Sequence, residues 1–228
     1  MLFESLRPHT PSAPKGIDLR CCDVTEILKE VRGARLITAD PPWRYAREAG
    51  VANPEEQGIY AALTEIEIAQ HLDLAYDCGA PNALLAVWYT WPKEEEWRGG
   101  GHAGSRWGKK RTGGAWLKTG QVGVGHYWRG QTEPVALFVK GSCGRPHECI
   151  LNGYQSVPGV HSEKPLEWLR AWVRAWTEPD DLVMDLYAGL APMARACMLE
   201  GRRYIGAEID PERHRRALVA LDKAWKER

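Results

Sequence analysis

Hydrophobic and polar positions in the first half of the chain form blocks that predict helices and strands in turn. Residues 23–31 space their apolar positions as a short amphipathic helix does. The following stretch, 34–43, begins as a buried strand, which stops at Asp40. Residues 64–76 open with a Thr-x-x-Glu capping box and predict a second helix, which a strand over 82–90 follows. The succession strand, helix, strand predicts parallel pairing.

The second half of the chain continues the same alternation. Its pattern predicts strands over 133–141, 147–153, 182–187 and 202–210, and helices that begin at about Pro165, at Pro192 and at Pro211. The chain shows no internal repeat and no low-complexity tract. The pattern therefore predicts the α/β class.

Length and composition narrow the organisation of the chain. Its 228 residues suit one α/β domain over 16–228, and the three prolines of residues 1–15 predict a loose N-terminal arm. The 30 basic and 30 acidic residues cancel, so a polyanion would have to be held by a local patch. The six cysteines show no C-x-x-C spacing, and neither a signal peptide nor a membrane-length apolar run is visible. These features predict a protein of the cytoplasm with no membrane association.

The stretch 99–120 differs in composition from the rest of the chain. It holds eight glycines and five Lys or Arg residues, has no acidic residue, and lacks the apolar residues that build a core. We expect a flexible basic loop that recognises nucleic acid, with phosphate contacts from Arg106, Lys109, Lys110 and Arg111. The alternative is an ordinary solvated loop.

Two of the predicted strands end in chemically distinctive residues. One ends at Asp40, and the other ends at Asp185 and leads through Gly189 into a helix, with Glu208 at the end of the next strand. The carboxyl ends of parallel strands share one edge of a sheet, where α/β proteins bind ligands. Gly189 permits close backbone approach, and Glu208 can accept from ribose hydroxyls. A turn of this kind also occurs in α/β proteins that bind no nucleotide.

The tetrapeptide Asp40-Pro41-Pro42-Trp43 is the more specific signal. The two prolines donate no backbone hydrogen bond and hold the chain stiffly extended. The Asp40 carboxylate and the Pro41 carbonyl can then project as adjacent acceptors, which suits an exocyclic amine. The face of Trp43 can stack on the ring that carries the amine. The alternative is a rigid turn with a buried tryptophan.

These motifs carry a resemblance to a known family. The DPPW tetrapeptide closely resembles the signature of the adenine-N6 methyltransferases, a family that includes the catalytic subunit of the eukaryotic messenger-RNA adenosine methyltransferase and bacterial and phage relatives. Segments 125–141 and 161–165 are also similar to segments of that family. Segments 185–192 and 206–210 resemble the cofactor motifs of the beta-type amino-methyltransferases, in which the catalytic motif comes first. The resemblance covers most of 19–228.

The resemblance implies a Rossmann-like methyltransferase fold with a mostly parallel sheet and a circularly permuted motif order. It implies methyl transfer from S-adenosyl-L-methionine to N6 of adenine in nucleic acid, with DNA favoured over RNA. Asp40 and the Pro41 carbonyl would accept from the adenine amine, Pro42 would stiffen the loop, and Trp43 would stack on the base. The cofactor's adenine would contact Asp23, its ribose Glu208 and its carboxylate Lys164. The backbone at Gly189 would approach the cofactor closely, and Asp185 belongs to the same cofactor motif.

Some observations leave alternatives open. Leu190-Ala191-Pro192 replaces the small residues usual after the cofactor glycine, and Tyr187 replaces a phenylalanine. One alternative is another planar amine, such as cytosine N4 or a glutamine amide. The other is a catalytically silent nucleic-acid-binding subunit that needs a partner; a homodimer is also left open. Cys143, His147 and Cys149 provide three zinc ligands in a spacing that fits no closed four-ligand site, so we expect no metal.

Overall fold

The computed structural model describes residues 13–44, 62–94, 105–119, 130–156 and 163–228. The strands are β1 (Ile17–Cys21), β2 (Ala34–Ala39), β3 (Gly79–Trp88), β4 (Thr112–Leu117), β5 (Thr132–Lys140), β6 (Gly153–Gln155), β7 (Leu182–Asp185) and β8 (Arg203–Glu208). The helices are α1 (Val24–Glu30), α2 (Glu65–Cys78), α3 (Leu166–Trp176), α4 (Pro192–Glu200) and α5 (Pro211–Lys226), with a single 3₁₀ turn at Ser105–Trp107 among the described residues.

All eight described strands belong to one sheet, in the order β1-β8-β7-β2-β3-β5-β4-β6. Strand β5 is antiparallel to both of its neighbours, and every other neighbouring pair is parallel. From β7 the chain passes through α4 to β8 on one side, and from β2 it passes through α2 to β3 on the other. The boundary between β7 and β2 is therefore a switch point, and a crevice opens outside the carboxyl ends of these strands.

The helices cover both faces of the sheet. Helices α1 and α2 pack on one face, where Ile27 and Leu72 belong to the same buried cluster as Ile37 of β2. Helices α3, α4 and α5 pack on the other, where Trp172 belongs to the same buried cluster as Leu36. Leu36 and Ile37 face opposite sides because side chains alternate along a strand. A sheet buried on both faces explains the continuous apolar runs of the central strands.

The structure confirms most of the predicted elements. Strand β2 ends one residue before Asp40, and β2 and β3 pair in parallel as expected. At the start of α2 the Thr64 side chain accepts from the backbone of Glu67 while the Glu67 carboxylate accepts from Thr64, which completes the capping box.

The predicted strand over 147–153 is wrong. The strand in this region is β6, which begins at Gly153 and pairs with β4. Strand β4 lies in the stretch 99–120, so the expectation that this stretch contributes nothing to a core is also wrong for its described part, 105–119. Trp116 of β4 is fully buried, and Trp107 packs against α2.

The glycines of β4 give the physical reason. A Cβ on Gly113 would lie 2.7 Å from the Val135 carbonyl oxygen, and a Cβ on Gly114 would lie 2.4 Å from that of Asn152. The glycines therefore permit a strand to fit closely among its neighbours rather than loosen a loop. Residues 1–12 of the predicted arm, and residues 99–104 and 120 of the predicted loop, lie outside the described residues.

Candidate active site

Two adjoining cavities open at the switch point. One has a volume of about 330 Å³ and extends from the DPPW residues to Asp23 and Glu208. The other has a volume of about 380 Å³ and extends toward Asp185 and α4. Residues that line both include Asp40 and Lys164. The two strand ends singled out in the sequence therefore meet at one site.

The DPPW loop is held by backbone hydrogen bonds. The Leu63 N–H donates to the Pro42 carbonyl at 2.8 Å, and the Arg44 N–H donates to Leu63 at 3.2 Å. The Trp43 N–H donates to the Pro41 carbonyl at 2.9 Å, which uses one of the two lone pairs of that oxygen and leaves the other. The Asp40 side chain is 46% exposed at the rim. A carboxylate and a carbonyl thus lie together on a fixed loop.

Trp43 lies deeper than a free stacking platform. It is 5% exposed, and its Nε1 donates to the Trp88 carbonyl at 3.3 Å. It nevertheless contributes to the lining of the first cavity. Trp43 is therefore anchored to the end of β3 while it borders the space beside Asp40.

Lys164 joins two carboxylates at the centre of the site. Its Nζ lies 2.5 Å from Asp40 Oδ2 and 3.0 Å from Glu133 Oε2, and 4.9 Å from the centroid of the Trp88 ring. Burial opposes the charge of this lysine, but Asp40 and Glu133 outweigh it and hold its pKa above the ordinary value. Lys164 is therefore cationic where the two cavities meet.

Glu133 is a site residue that the sequence analysis missed. It pairs with Lys164 and with Lys118. Burial opposes its ionisation, but the nearby lysines, Lys164 foremost, lower its pKa below the ordinary value. The signal was available in the sequence, because Glu133 is the only acidic residue of segment 125–141.

Asp185 ends β7 in a buried position. The Tyr204 hydroxyl donates to its Oδ2 at 3.2 Å. Burial raises the pKa of Asp185 to about 7, although the hydrogen bond from Tyr204 opposes the change. This carboxyl group therefore exchanges its proton near neutral pH.

Glu208 and Gly189 are in direct contact. Glu208 Oε2 accepts from the Gly189 N–H at 2.8 Å, and Oε1 accepts from the Asp210 N–H at 2.9 Å. Gly189 has φ 56° and Ala191 has φ 55°, both in the left-handed region that favours glycine. Leu190 lines the second cavity only, so its bulk faces the Asp185 side of the site.

The far end of the first cavity contains Asp23 and a histidine-tyrosine pair. Asp23 caps α1, and its Oδ1 accepts from the Thr25 N–H at 2.8 Å and hydroxyl at 2.5 Å. Burial opposes ionisation of Asp23, but these hydrogen bonds prevail and lower its pKa. His71 Nδ1 lies 2.8 Å from the Tyr187 hydroxyl, and burial lowers the pKa of His71. No local pattern predicts this pair, because its two residues are 116 positions apart in the chain.

The structure does not bring the four predicted phosphate contacts onto one patch. Arg106 pairs with Asp77 at 2.6 Å, and Lys110 pairs with Glu94 at 2.5 Å. Arg111 lines a separate cavity of about 370 Å³, and Lys109 is exposed.

Two of the three candidate zinc ligands, Cys143 and His147, contact groups other than one another. Cys143 Sγ lies 3.4 Å from the Ala83 carbonyl oxygen, and His147 Nε2 lies 3.2 Å from Glu178. Within the described ranges no group of three such side chains is placed to hold a metal ion. No described helix has the length and apolar character needed to cross a membrane.

Comparison with known proteins assigns the family. Residues 140–219 match a family model described as DNA methylase. The protein named "Putative methylase YubD", from Escherichia coli (strain K12), is 33% identical over 210 residues, which cover 84% of this chain and 84% of that protein. The chain belongs to the DNA methylase family. The fold of this DNA methylase agrees with that membership.

Solved structures share the fold at low identity. A structure described as a "putative DNA modification methylase" from Thermus thermophilus, complexed with S-adenosyl-L-methionine, has a TM-score of 0.69 at 16% identity and covers 91% of this chain and 93% of its own. PvuII DNA methyltransferase, described as cytosine-N4-specific, has a TM-score of 0.62 at 13% identity and covers 96% and 93%. The prediction of a Rossmann-like methyltransferase fold for this DNA methylase is confirmed.

Proposed function

We propose that this DNA methylase transfers a methyl group from S-adenosyl-L-methionine to N6 of adenine in DNA. The observation that carries the proposal is that Asp40 and Pro41, which offer a carboxylate and a carbonyl as adjacent acceptors, both line the cavity that leads to Glu208. An exocyclic amine has two N–H donors, and this loop offers two adjacent acceptors.

The chemistry of the cavity fits the cofactor. Glu208 offers acceptors for ribose hydroxyls. The turn at Gly189, beside Glu208, allows the backbone to approach the cofactor closely. Asp23 lines the end of the cavity, where it can accept from an adenine amine. The ammonium group of Lys164 suits the cofactor's carboxylate. Once bound, the cofactor supplies an electrophilic methyl group on its sulfonium.

The residues of this chain position and polarise the amine. Hydrogen bonds to Asp40 and the Pro41 carbonyl turn the nitrogen lone pair out of conjugation with the ring. Methyl transfer to the nitrogen would break the carbon–sulfur bond of the cofactor, whose sulfur would keep the electron pair, and would leave the nitrogen with one proton too many. Asp40 lies half-exposed at the rim, where it accepts that proton and releases it to water. Positioning and electrostatics provide the catalysis.

Cytosine N4 is the competing acceptor, because its amine presents the same two donors. The solved structure described as cytosine-N4-specific shares the fold. Trp43 supports adenine, since its ring contributes to the lining of the space beside Asp40, where it can contact a purine.

The test incubates the purified protein with S-adenosyl-L-methionine and duplex DNA, single-stranded DNA or RNA, and identifies methylated nucleosides by mass spectrometry. We expect N6-methyladenine from duplex DNA, and a loss of at least about 100-fold in Asp40→Ala, since such donor and acceptor contacts typically contribute that much. Asp18→Ala is the matched control, because Asp18 is 51% exposed and also forms an ion pair.

Each other outcome has a defined meaning. Detection of N4-methylcytosine instead of N6-methyladenine would show that cytosine, not adenine, is the base that accepts the methyl group. Full activity of Asp40→Ala would refute the proposed role of the loop. Failure of the isolated chain to bind S-adenosyl-L-methionine in calorimetry would support the catalytically silent subunit instead.

A further inference from the structure

Trp91 is an exposed aromatic residue beside the catalytic edge. It follows Tyr89 and Thr90, which line the first cavity. It is 57% exposed, more than any other tryptophan in the part of the chain that the structure describes. Trp91 therefore presents a large apolar surface to the solvent beside the cavity.

Two contacts fix the orientation of Trp91. Its Nε1 donates to the Thr132 hydroxyl at 3.0 Å, and the Tyr89 ring meets it edge to face with centroids 6.1 Å apart. The polar edge of the indole is thus satisfied within the protein. The exposed remainder is apolar surface held in one orientation.

The neighbours of Trp91 connect it to the site. Thr132 directly precedes Glu133, which pairs with Lys164, and Lys164 pairs with Asp40. Trp91 is therefore attached to the same rigid strand ends that hold the proposed acceptor of the target amine. An aromatic side chain fixed at this rim is placed to contact the bases that flank a target in the cavity.

A duplex target would be helped by such a contact. The adenine amine is paired inside a duplex, so the base must leave the stack to reach Asp40. Extrusion leaves a gap whose neighbouring bases have lost a stacking partner. Every base presents a π-face, so an aromatic ring can compensate without regard to sequence.

We propose that Trp91 inserts its exposed ring beside the target and stacks on the bases that an extruded adenine leaves behind. This inference rests on the proposed function, because it assumes a base that is methylated outside the duplex. It assigns Trp91 to base extrusion, a step separate from the methyl transfer at Asp40.

The test begins with wild-type protein and plasmid DNA, in which the methylated site is mapped by sequencing. Two synthetic duplexes then carry that site, one with a matched partner opposite the target base and one with an abasic position there. The abasic duplex holds its target weakly, so extrusion from it needs little help. Methyl transfer is compared for wild type, Trp91→Ala, Trp91→Phe and Trp225→Ala. Trp225 is the matched control, since it is 47% exposed and lies on α5.

We expect Trp91→Ala to lose about tenfold or more in kcat/KM on the matched duplex, in keeping with the usual contribution of base stacking. On the abasic duplex it should come within about threefold of wild type, because the need for stacking help is relieved. Trp91→Phe should keep most of the activity, and Trp225→Ala should behave as wild type on both duplexes.

Equal losses on the two duplexes would overturn the inference, because they would indicate a general structural defect. Wild-type behaviour of Trp91→Ala on the matched duplex would overturn it as well. Methylation of cytosine by the wild type would refute the adenine proposal alone, since the same pair of duplexes can be built around the methylated cytosine. Absence of any methylated base would refute both.

Discussion

Asp185 is a buried carboxyl group whose ionisation the fold opposes. Burial raises its pKa to about 7, whereas an aspartate in an unfolded chain titrates near pH 4. Between these values the folded protein keeps a proton that the unfolded chain releases. The contribution of Asp185 to the free energy of unfolding is therefore greatest below pH 4 and declines as the pH rises to 7.

Replacement by asparagine should remove this dependence. We expect the free energy of unfolding of Asp185→Asn, relative to wild type, to increase from pH 4 to pH 7 by on the order of a few kcal/mol and then to level off. Urea unfolding at a series of pH values measures the difference. A difference that stays constant from pH 4 to pH 8 would contradict the raised pKa.

The individual residues of the site were predictable to different degrees. Asp40, Gly189 and Glu208 follow predicted strands, so their meeting at one edge follows from parallel pairing. Neither Glu133 nor His71 follows the end of a predicted strand, so this argument does not extend to them. Glu133 comes from the one antiparallel strand of the described sheet, and His71 contacts Tyr187, a residue far along the chain. Local patterns carry no information on contacts of that kind.

At the scale of elements, a glycine in the left-handed conformation is a common signal for the end of a helix. Helix α4 ends at Glu200 and is capped by Gly201, which has φ 71° and donates its N–H to the Cys197 carbonyl. A Cβ at this position would meet no atom within 4 Å, so only the backbone conformation would oppose a side chain. Gly201 therefore isolates the cost of a left-handed residue at a helix end.

We expect Gly201→Ala to lower the free energy of unfolding by about 1 kcal/mol, the usual penalty for a left-handed alanine. Gly130→Ala is the matched control, since a Cβ there is equally unobstructed and its φ is not positive. Urea midpoints of both variants against wild type give the comparison. Equal midpoints for the two variants would show that the left-handed conformation has no cost at this cap.

Strands were harder to predict where glycine replaces bulky residues. The glycines of β4 follow no period of apolar residues and look like a loop in the sequence. Their function is evident only from the neighbouring backbone, where the carbonyl oxygens of Val135 and Asn152 occupy the space of a side chain. Strand β1 has two buried residues, Ile17 and Leu19, and is too short to give a clear period.

At the scale of the whole molecule, the basic and acidic residues balance, so DNA binding depends on individual basic residues rather than on the net charge. The chain has no net charge at pH 7, and two of the four predicted phosphate contacts, Arg106 and Lys110, already pair with carboxylates. Within the ranges that the structure describes, Lys109 and Arg111 have no such ion pair. These two residues are therefore the better candidates for DNA phosphates.

We expect the double variant Lys109→Gln, Arg111→Gln to bind duplex DNA more weakly and with a shallower salt dependence. The slope of log K against log salt should fall by about one for each lost phosphate contact. Arg106→Gln is the control and should leave the slope unchanged. Fluorescence anisotropy over a salt series gives the slopes, and identical slopes for the double variant and wild type would remove this stretch from the DNA interface.

The order of the strands also has a consequence during synthesis. Strand β2 lies between β3 and β7, and its Ala34 pairs with Leu182 of β7. While the ribosome adds residues 79–182, one edge of this apolar strand has no partner strand from its own chain. Such an edge can template aggregation. The catalytic loop and the cofactor turn therefore come together only after β7 has been synthesised, and until then β2 keeps one open, apolar edge.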